Sequence, residues 1–210
     1  MKIKFSSYFS KQARKPTGLF GRFYMSQIFK KGNLELNAFT KEILSITPND
    51  NILEIGCGTG ILLKEIADEL KDGFIIGCDF SLPMVSIAKK NNEKHINNNK
   101  VVITIGNFEE LAFDENYFDK IFSVNTIYFW KNPEATISKI LKLLKPNGYL
   151  VLGFHDKYEM EKMNLDMDIF QLYSSQDIIK LLEKHDSISE VTVFSKNGVQ
   201  KINYCAIGVK

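Results

Sequence analysis

From residue 51 onward the chain alternates two kinds of apolar spacing. Short runs rich in Ile, Val and Phe recur: NILEI (51–55), FIIGC (74–78), VVITI (101–105), DKIFSV (119–124) and YLVLGF (149–154). They are nearly continuously apolar, as expected of strands covered on both faces of a parallel sheet. Between them the apolar positions fall at helical spacing. Ile66, Ala67 and Leu70 lie three, four and seven residues after Leu63, and Ile140, Leu141 and Leu144 repeat that pattern after Ile137. Each segment therefore predicts a helix with one apolar stripe to lay on the sheet. The ends are marked as well: Pro83 suits the first turn of the helix after the second strand, with Ser81 as its cap, and Lys145-Pro-Asn-Gly148 stops the helix before the fifth strand.

Past residue 173 the pattern changes. Ser174-Ser-Gln-Asp177 reads as a capping box that opens a helix with Ile178, Leu181 and Leu182 turned inward. Two further runs follow, EVTVF (190–194) and NYCAIGV (203–209), and the Asn197-Gly198 pair between them signals an antiparallel hairpin. The predicted fold is α/β: a Rossmann-like, mostly parallel sheet of seven strands, with helices on both faces and a C-terminal antiparallel hairpin. Segment 155–173, HDKYEMEKMNLDMDIFQLY, is acidic and Met-rich and follows the fifth strand's carboxyl end, where open α/β sheets bind ligands. The expected division is an N-terminal helical lid over residues 1–40 and one catalytic domain over 41–210.

Composition narrows the class. The 210 residues, 44% hydrophobic and 25% charged, match an ordinary globular domain. No apolar run reaches the 18–20 residues of a membrane span, and the start, MKIKFSSYFSKQARK, is basic without a signal peptide's apolar stretch, so a cytoplasmic location is expected. Cys57, Cys78 and Cys205 are widely spaced, and His95, His155 and His185 do not cluster, which argues against a disulfide framework and a zinc site. Charge is uneven. Lys2, Lys4, Lys11, Arg14, Lys15, Arg22, Lys30 and Lys31 give residues 1–34 a charge of +8 with no acid, so a net of +2 leaves −6 for the rest. Such an arm either attracts a polyanion or is a solvated amphipathic lead-in whose aromatics, Phe5, Tyr8, Phe9, Phe20, Phe23 and Tyr24, pack on something.

The chemistry concentrates in Ile52-Leu-Glu-Ile-Gly-Cys-Gly-Thr-Gly60, a strand running into a glycine-rich turn and then a helix. It reads E-x-G-x-G-x-G and departs from the G-x-G-x-x-G of dinucleotide binders. A carboxylate such as Glu54 beside the loop repels a pyrophosphate but suits a ligand bearing an ammonium and a sulfonium. Asp79, 23 residues after Gly56, ends the second strand where an acid accepts from both ribose hydroxyls. Asn107 follows the third strand and can meet an adenine amino group through its carbonyl, and Phe80 or Phe108 can cover a base face.

Residues 51–152 resemble the class I S-adenosylmethionine (SAM)-dependent methyltransferases. LEIGCGTG matches the glycine-rich motif, CDFS carries the ribose acid, and GNFEELAF is similar to the adenine-recognition segment. FDKIFSVNTIYFWKNP and LKLLKPNGYLVL resemble the fourth strand with its loop and the fifth helix–strand unit. The resemblance implies SAM as cofactor, held by Glu54, Gly56, Gly58, Gly60, Asp79, Phe80, Asn107, Phe108 and Asn125. Cys57 sits within the loop, and Met84 either touches the cofactor or packs its helix. Asn107 departs from the family's commoner Asp while keeping an acceptor oxygen. The implied activity is methyl transfer to a small molecule, with Tyr24, Tyr128 and Trp130 expected at the acceptor and His155 or Tyr128 as a base.

The basic arm could serve a methyltransferase acting on RNA or protein, and the chain could bind SAM without catalysis. A nicotinamide-dependent Rossmann enzyme is disfavoured by the glycine spacing. Asn125-Thr-Ile-Tyr128 mimics the Asn-Pro-Pro-Tyr of nitrogen methyltransferases but lacks both prolines.

Overall fold

The computed structural model describes the backbone of residues 2–210 and side chains from residue 7 onward, so the side chains of Lys2, Lys4 and Phe5 lie outside the described residues. The strands are β1 (Asn51–Ile55), β2 (Phe74–Asp79), β3 (Val101–Ile105), β4 (Phe118–Val124), β5 (Leu144–Phe154), β6 (Glu190–Asn197) and β7 (Ile202–Val209). They form one sheet in the order β3-β2-β1-β4-β5-β7-β6. β1 to β5 are mutually parallel, joined through helices, and β7 runs antiparallel to both β5 and β6.

Because successive strand residues point to opposite faces, each strand feeds two helical layers. Leu53, Ile55 and Ile121 pack with Ile137, Ile140 and Leu141 of α7 (Pro133–Leu143) and Ile178 and Leu182 of α9 (Ser175–Glu183). Ile52, Ile75 and Phe122 pack on the other side with α3 (Leu34–Leu44), α4 (Ile61–Ala67) and α5 (Leu82–Asn91). Each aliphatic side chain removed from water in these layers contributes about 1.5–3 kcal/mol. Three shorter helices complete the body or its edges, namely α2 (Ser26–Gly32), α6 (Glu93–Asn97) and α8 (Lys157–Glu161), while α1 (Lys2–Arg14) and a π-helical turn (Phe20–Met25) lead in.

The local signals behave as their chemistry requires. Ser81 accepts from the Met84 amide at the start of α5 with Pro83 in its first turn, and both bonds of the Ser174/Asp177 capping box are made. Two details differ from expectation. The 145–148 segment is an irregular opening of β5, with a register shift against β4 and Asn147 at φ +62°, so strand pairing begins at Leu144. The hairpin keeps Asn197 paired to Ile202, and its connection is the four residues 198–201, closed by the Gly198 amide donating to the Lys201 carbonyl at 2.9 Å. Residue 40 falls inside α3, whose Leu36, Phe39 and Leu44 are buried in the core, so this helix is built into the body on both sides of that position.

Candidate active site

The five parallel strands deliver five polar residues to one rim. Glu54 lies near the end of β1, Asp79 ends β2, Asn107 follows β3, Asn125 follows β4 and His155 follows β5. The sheet order reverses between β1 and β4, which is where a crevice opens in an open α/β sheet. A cavity of about 1030 Å³ runs along this rim and is bordered by all five residues.

At its centre the glycine loop takes the shape its sequence implies. Gly56, at φ +77°, passes so close to the β4 loop that a Cβ would stand 2.4 Å from Thr126 Cγ2. Gly58, at φ +51°, has nothing within 4 Å of its missing Cβ, so the backbone is bare on that side and a ligand can lie against it. Gly60 caps α4 in the left-handed conformation. The Gly58 amide donates to Asp79 Oδ2 at 2.9 Å and the Ser81 amide to Oδ1 at 2.8 Å, which locks the acid to the loop while leaving each oxygen a further lone pair. Burial raises Asp79 to about 6 against the pull of those two amides and of Lys15.

Glu54 is 4% exposed, and its Oε2 has no hydrogen-bond partner among the described residues. Burial, and then the neighbouring Asp79, push its carboxyl up to about 8. An unpartnered carboxyl oxygen beside an open backbone fits a ligand that brings its own ammonium and ribose hydroxyls, as SAM does.

The remaining cofactor-side residues divide. Phe80 borders the cavity with the Lys15 ammonium 5.4 Å from its ring centroid. Asn107 also borders it, but its side-chain amide reaches Glu109 Oε2 at 3.3 Å and Glu110 Oε1 at 3.5 Å, while Oδ1 accepts from the Glu109 amide at 3.4 Å. Phe108 is a core residue at the cavity edge, stacked on Phe113 and under the Lys139 ammonium. Met84 is buried in α5 and Cys57 in the loop; both touch the cavity wall, and burial holds the Cys57 thiol far above its ordinary range, so no thiolate forms there.

At the other end, Asn125 (φ +55°) donates through Nδ2 to Asn33 Oδ1 at 3.0 Å, tying the β4 loop to the lead-in segment. Tyr128 is 2% exposed, and its hydroxyl accepts from the His155 amide at 2.7 Å, with Asn125 Oδ1 at 3.2 Å and the His155 carbonyl at 3.1 Å as acceptors. Burial moves this hydroxyl well above its ordinary pKa. It is a strut between two rim loops, which removes it as a base. His155 differs from it in having a ring nitrogen left free to accept a proton. Its Nδ1 faces the Ile202 carbonyl at 3.3 Å, and a carbonyl can only accept, so the proton sits on Nδ1 and Nε2 holds the lone pair. Burial lowers its pKa, which keeps the ring neutral.

Trp130 is buried at the cavity wall. Tyr24 is not at the acceptor: it is 52% exposed on the outer side of the π-helical turn, its ring against Phe20, while the neighbouring Met25 takes the buried side. Ile28 and Phe29 of α2 line the cavity in its place. Sequence reasoning also missed Met160, Met163, Ile169 and Phe170, although the Met-rich segment containing them follows the fifth strand, and Lys201, which carried no signal beyond being a basic loop residue.

A seven-stranded sheet of this order, with an acid-flanked glycine loop and a second acid at the end of β2, defines the class I SAM-dependent methyltransferases. Residues 53–152 match the family model described as methyltransferase domain. It is 31% identical over 116 residues to an uncharacterized methyltransferase, YdaC, of Bacillus subtilis, covering 55% of this chain and 62% of that one. It is 35% identical over 120 residues to a malonyl-[acyl-carrier protein] O-methyltransferase of Priestia megaterium, covering 57% and 39%. The chain thus spans less than two thirds of the length of these curated relatives. The crystal structure of a SAM-dependent methyltransferase from Aquifex aeolicus superposes with a TM-score of 0.69 at 20% identity, over 88% of this chain and 97% of that one, and supports the fold.

Proposed function

We propose that this chain transfers a methyl group from SAM to a small-molecule acceptor. The observation that carries the reading is the form of the cavity: lead-in residues Phe9, Met25 and Phe29 border it together with Met160 and Phe170, so the rim is a half-open cleft of small-molecule size and not a flat surface suited to a macromolecule. When bound, SAM supplies a methyl group on a sulfonium, already activated for direct displacement. The chain has to bind, orient and exclude water. Glu54 would hold the ammonium, Asp79 the ribose hydroxyls, and Phe80 and Asn107 the adenine. His155 Nε2 accepts the proton of an acceptor that enters protonated.

Residues 1–34 act as a cover for this chamber. They are seated by the Ser81 hydroxyl donating to the Pro16 carbonyl at 2.7 Å, by the Asn33–Asn125 bond, and by the Asp166 amide donating to Ser10 Oγ at 3.0 Å. The cover is tested by trypsin: cleavage around Arg14 and Arg22 should slow markedly when the demethylated cofactor is added, and equal rates with and without it would refute the cover. The activity is tested with methyl-labelled SAM over metabolite, RNA and protein fractions. Label should enter the low-molecular-mass fraction at a rate insensitive to salt. Label confined to RNA or protein, with transfer falling steeply as salt rises, would favour the basic-arm reading, and cofactor binding without transfer would mean a silent binding protein.

A further inference from the structure

Lys201 has no use in the reading above. It sits in the four-residue β6–β7 connection, borders the apolar end of the cavity, and its Nζ has a single hydrogen-bond contact among the described residues, the Met163 sulfur at 3.2 Å. A thioether is a weak acceptor and satisfies little of an ammonium group. Glu159, the acid whose charge acts on Lys201, and Glu35, which acts on the neighbouring His155, are both engaged elsewhere. Glu159 is bonded to Lys162 at 2.8 Å, and both Glu35 oxygens accept from the Val199 amide at 3.1 Å. Neither lies within ion-pair distance of Lys201. His155 lies in reach of the Lys201 charge, and burial lowers its pKa, so it brings no negative charge to the ammonium; Tyr204, whose pKa burial raises, brings none either. Around them the wall is Met160, Met163, Leu165, Ile169 and Phe170. Desolvation pulls the Lys201 pKa down with Glu159 opposing, as befits a half-buried cation at the edge of an apolar wall.

A partly buried cation without a counter-ion is costly unless something that enters the site supplies the negative charge. We infer that the methyl acceptor is an apolar molecule bearing one carboxylate, and that Lys201 anchors this carboxylate while the hydrocarbon body lies against the Met160–Phe170 wall. A carboxylate fits better than a phosphate monoester. One lysine neutralises a single charge, and the second charge of a phosphate dianion would face the apolar Met160–Phe170 wall. The inference rests on the proposed small-molecule methyl transfer, and Lys201 acts in it as a specificity-determining residue.

The test is calorimetric and needs no turnover. The full chain is first titrated with S-adenosylhomocysteine, then, saturated with it, with decanoate, decan-1-ol or decyl phosphate at pH 7. Decanoate should bind about 10- to 100-fold more tightly than decanol, and more tightly than decyl phosphate. Lys201→Met, which keeps the stem and removes the charge, should erase the decanoate preference while leaving decanol and S-adenosylhomocysteine affinities unchanged. Equal binding of decanoate and decanol, an unaltered preference in Lys201→Met, tighter binding of decyl phosphate, or no binding of any of the three would overturn the inference. Failure of S-adenosylhomocysteine to bind would instead overturn the cofactor reading, so the two failures are separable.

Discussion

Replacing Glu54 by Gln should make the ligand-free protein more stable and the cofactor bind less well. The carboxyl is fully enclosed, has one unpartnered oxygen, and titrates at about 8 where an ordinary glutamate titrates at 4.5. The folded state therefore holds a proton on Glu54 that the unfolded chain releases between pH 4.5 and 8. Because the native state binds more protons across that window, stability falls as pH rises through it. At about 1.4 kcal/mol per pH unit, the whole displacement corresponds to a penalty on the order of 4–5 kcal/mol at pH 8 and above, and to almost none near pH 4.5. Gln carries no such penalty. Urea denaturation of both proteins at several pH values should give curves that nearly coincide near pH 4.5 and separate progressively toward pH 8, with the Gln variant the more stable. Calorimetry at pH 8 should show the opposite order for SAM, since the carboxylate that receives its ammonium is gone. Parallel stability curves, or a Gln variant that loses stability as pH rises, would refute the assignment of a strained, protonated Glu54.

Two further substitutions separate roles within the rim. Asn107→Asp would place a third carboxylate within about 3.5 Å of Glu109 and Glu110; these groups are partly solvated, so a loss of a few-fold in SAM affinity that weakens with added salt is expected by titration, and tighter binding would mean that the two glutamates turn away when the site is filled. Tyr128→Phe leaves the buried His155 amide without its acceptor and should lower unfolding free energy by about 1–3 kcal/mol, with the pH dependence of turnover unchanged, whereas a shifted pH profile would return proton transfer to Tyr128.

The fold was legible because its signals are local. Apolar runs, the Ser81 and Ser174 caps and the glycine loop each depend on a few neighbouring residues, and β1 to β3 begin where their sequence begins. Glu54 and Asp79 could be placed for the same reason: each sits at a fixed offset from a strand end. What stayed hidden depends on contacts between distant segments. Tyr24 was misplaced because an aromatic-rich lead-in has no single apolar stripe, and which of its side chains turns inward is decided by its contacts with the body. The strut formed by Tyr128 needs the β5 end beside the β4 loop, and Asn107 looked like a free acceptor until Glu109 and Glu110 folded back to it. Lys201 lies 46 residues after His155 in sequence, and only the hairpin brings it to the same chamber.

The cavity's two halves come from different stretches of the polypeptide. In the proposed reading, residues 54–108 would build most of the donor end, whereas most of the acceptor end would come from the lead-in, the β4 loop, the 155–173 stretch and the hairpin tip, all of which line the same cavity. Inheritance can therefore act on them separately. On that reading a lineage can rewrite its acceptor by altering a hairpin tip and one rim segment while the cofactor cradle is passed on intact, and a laboratory graft of 155–173 together with 198–201 from a relative should move acceptor preference without disturbing the glycine loop.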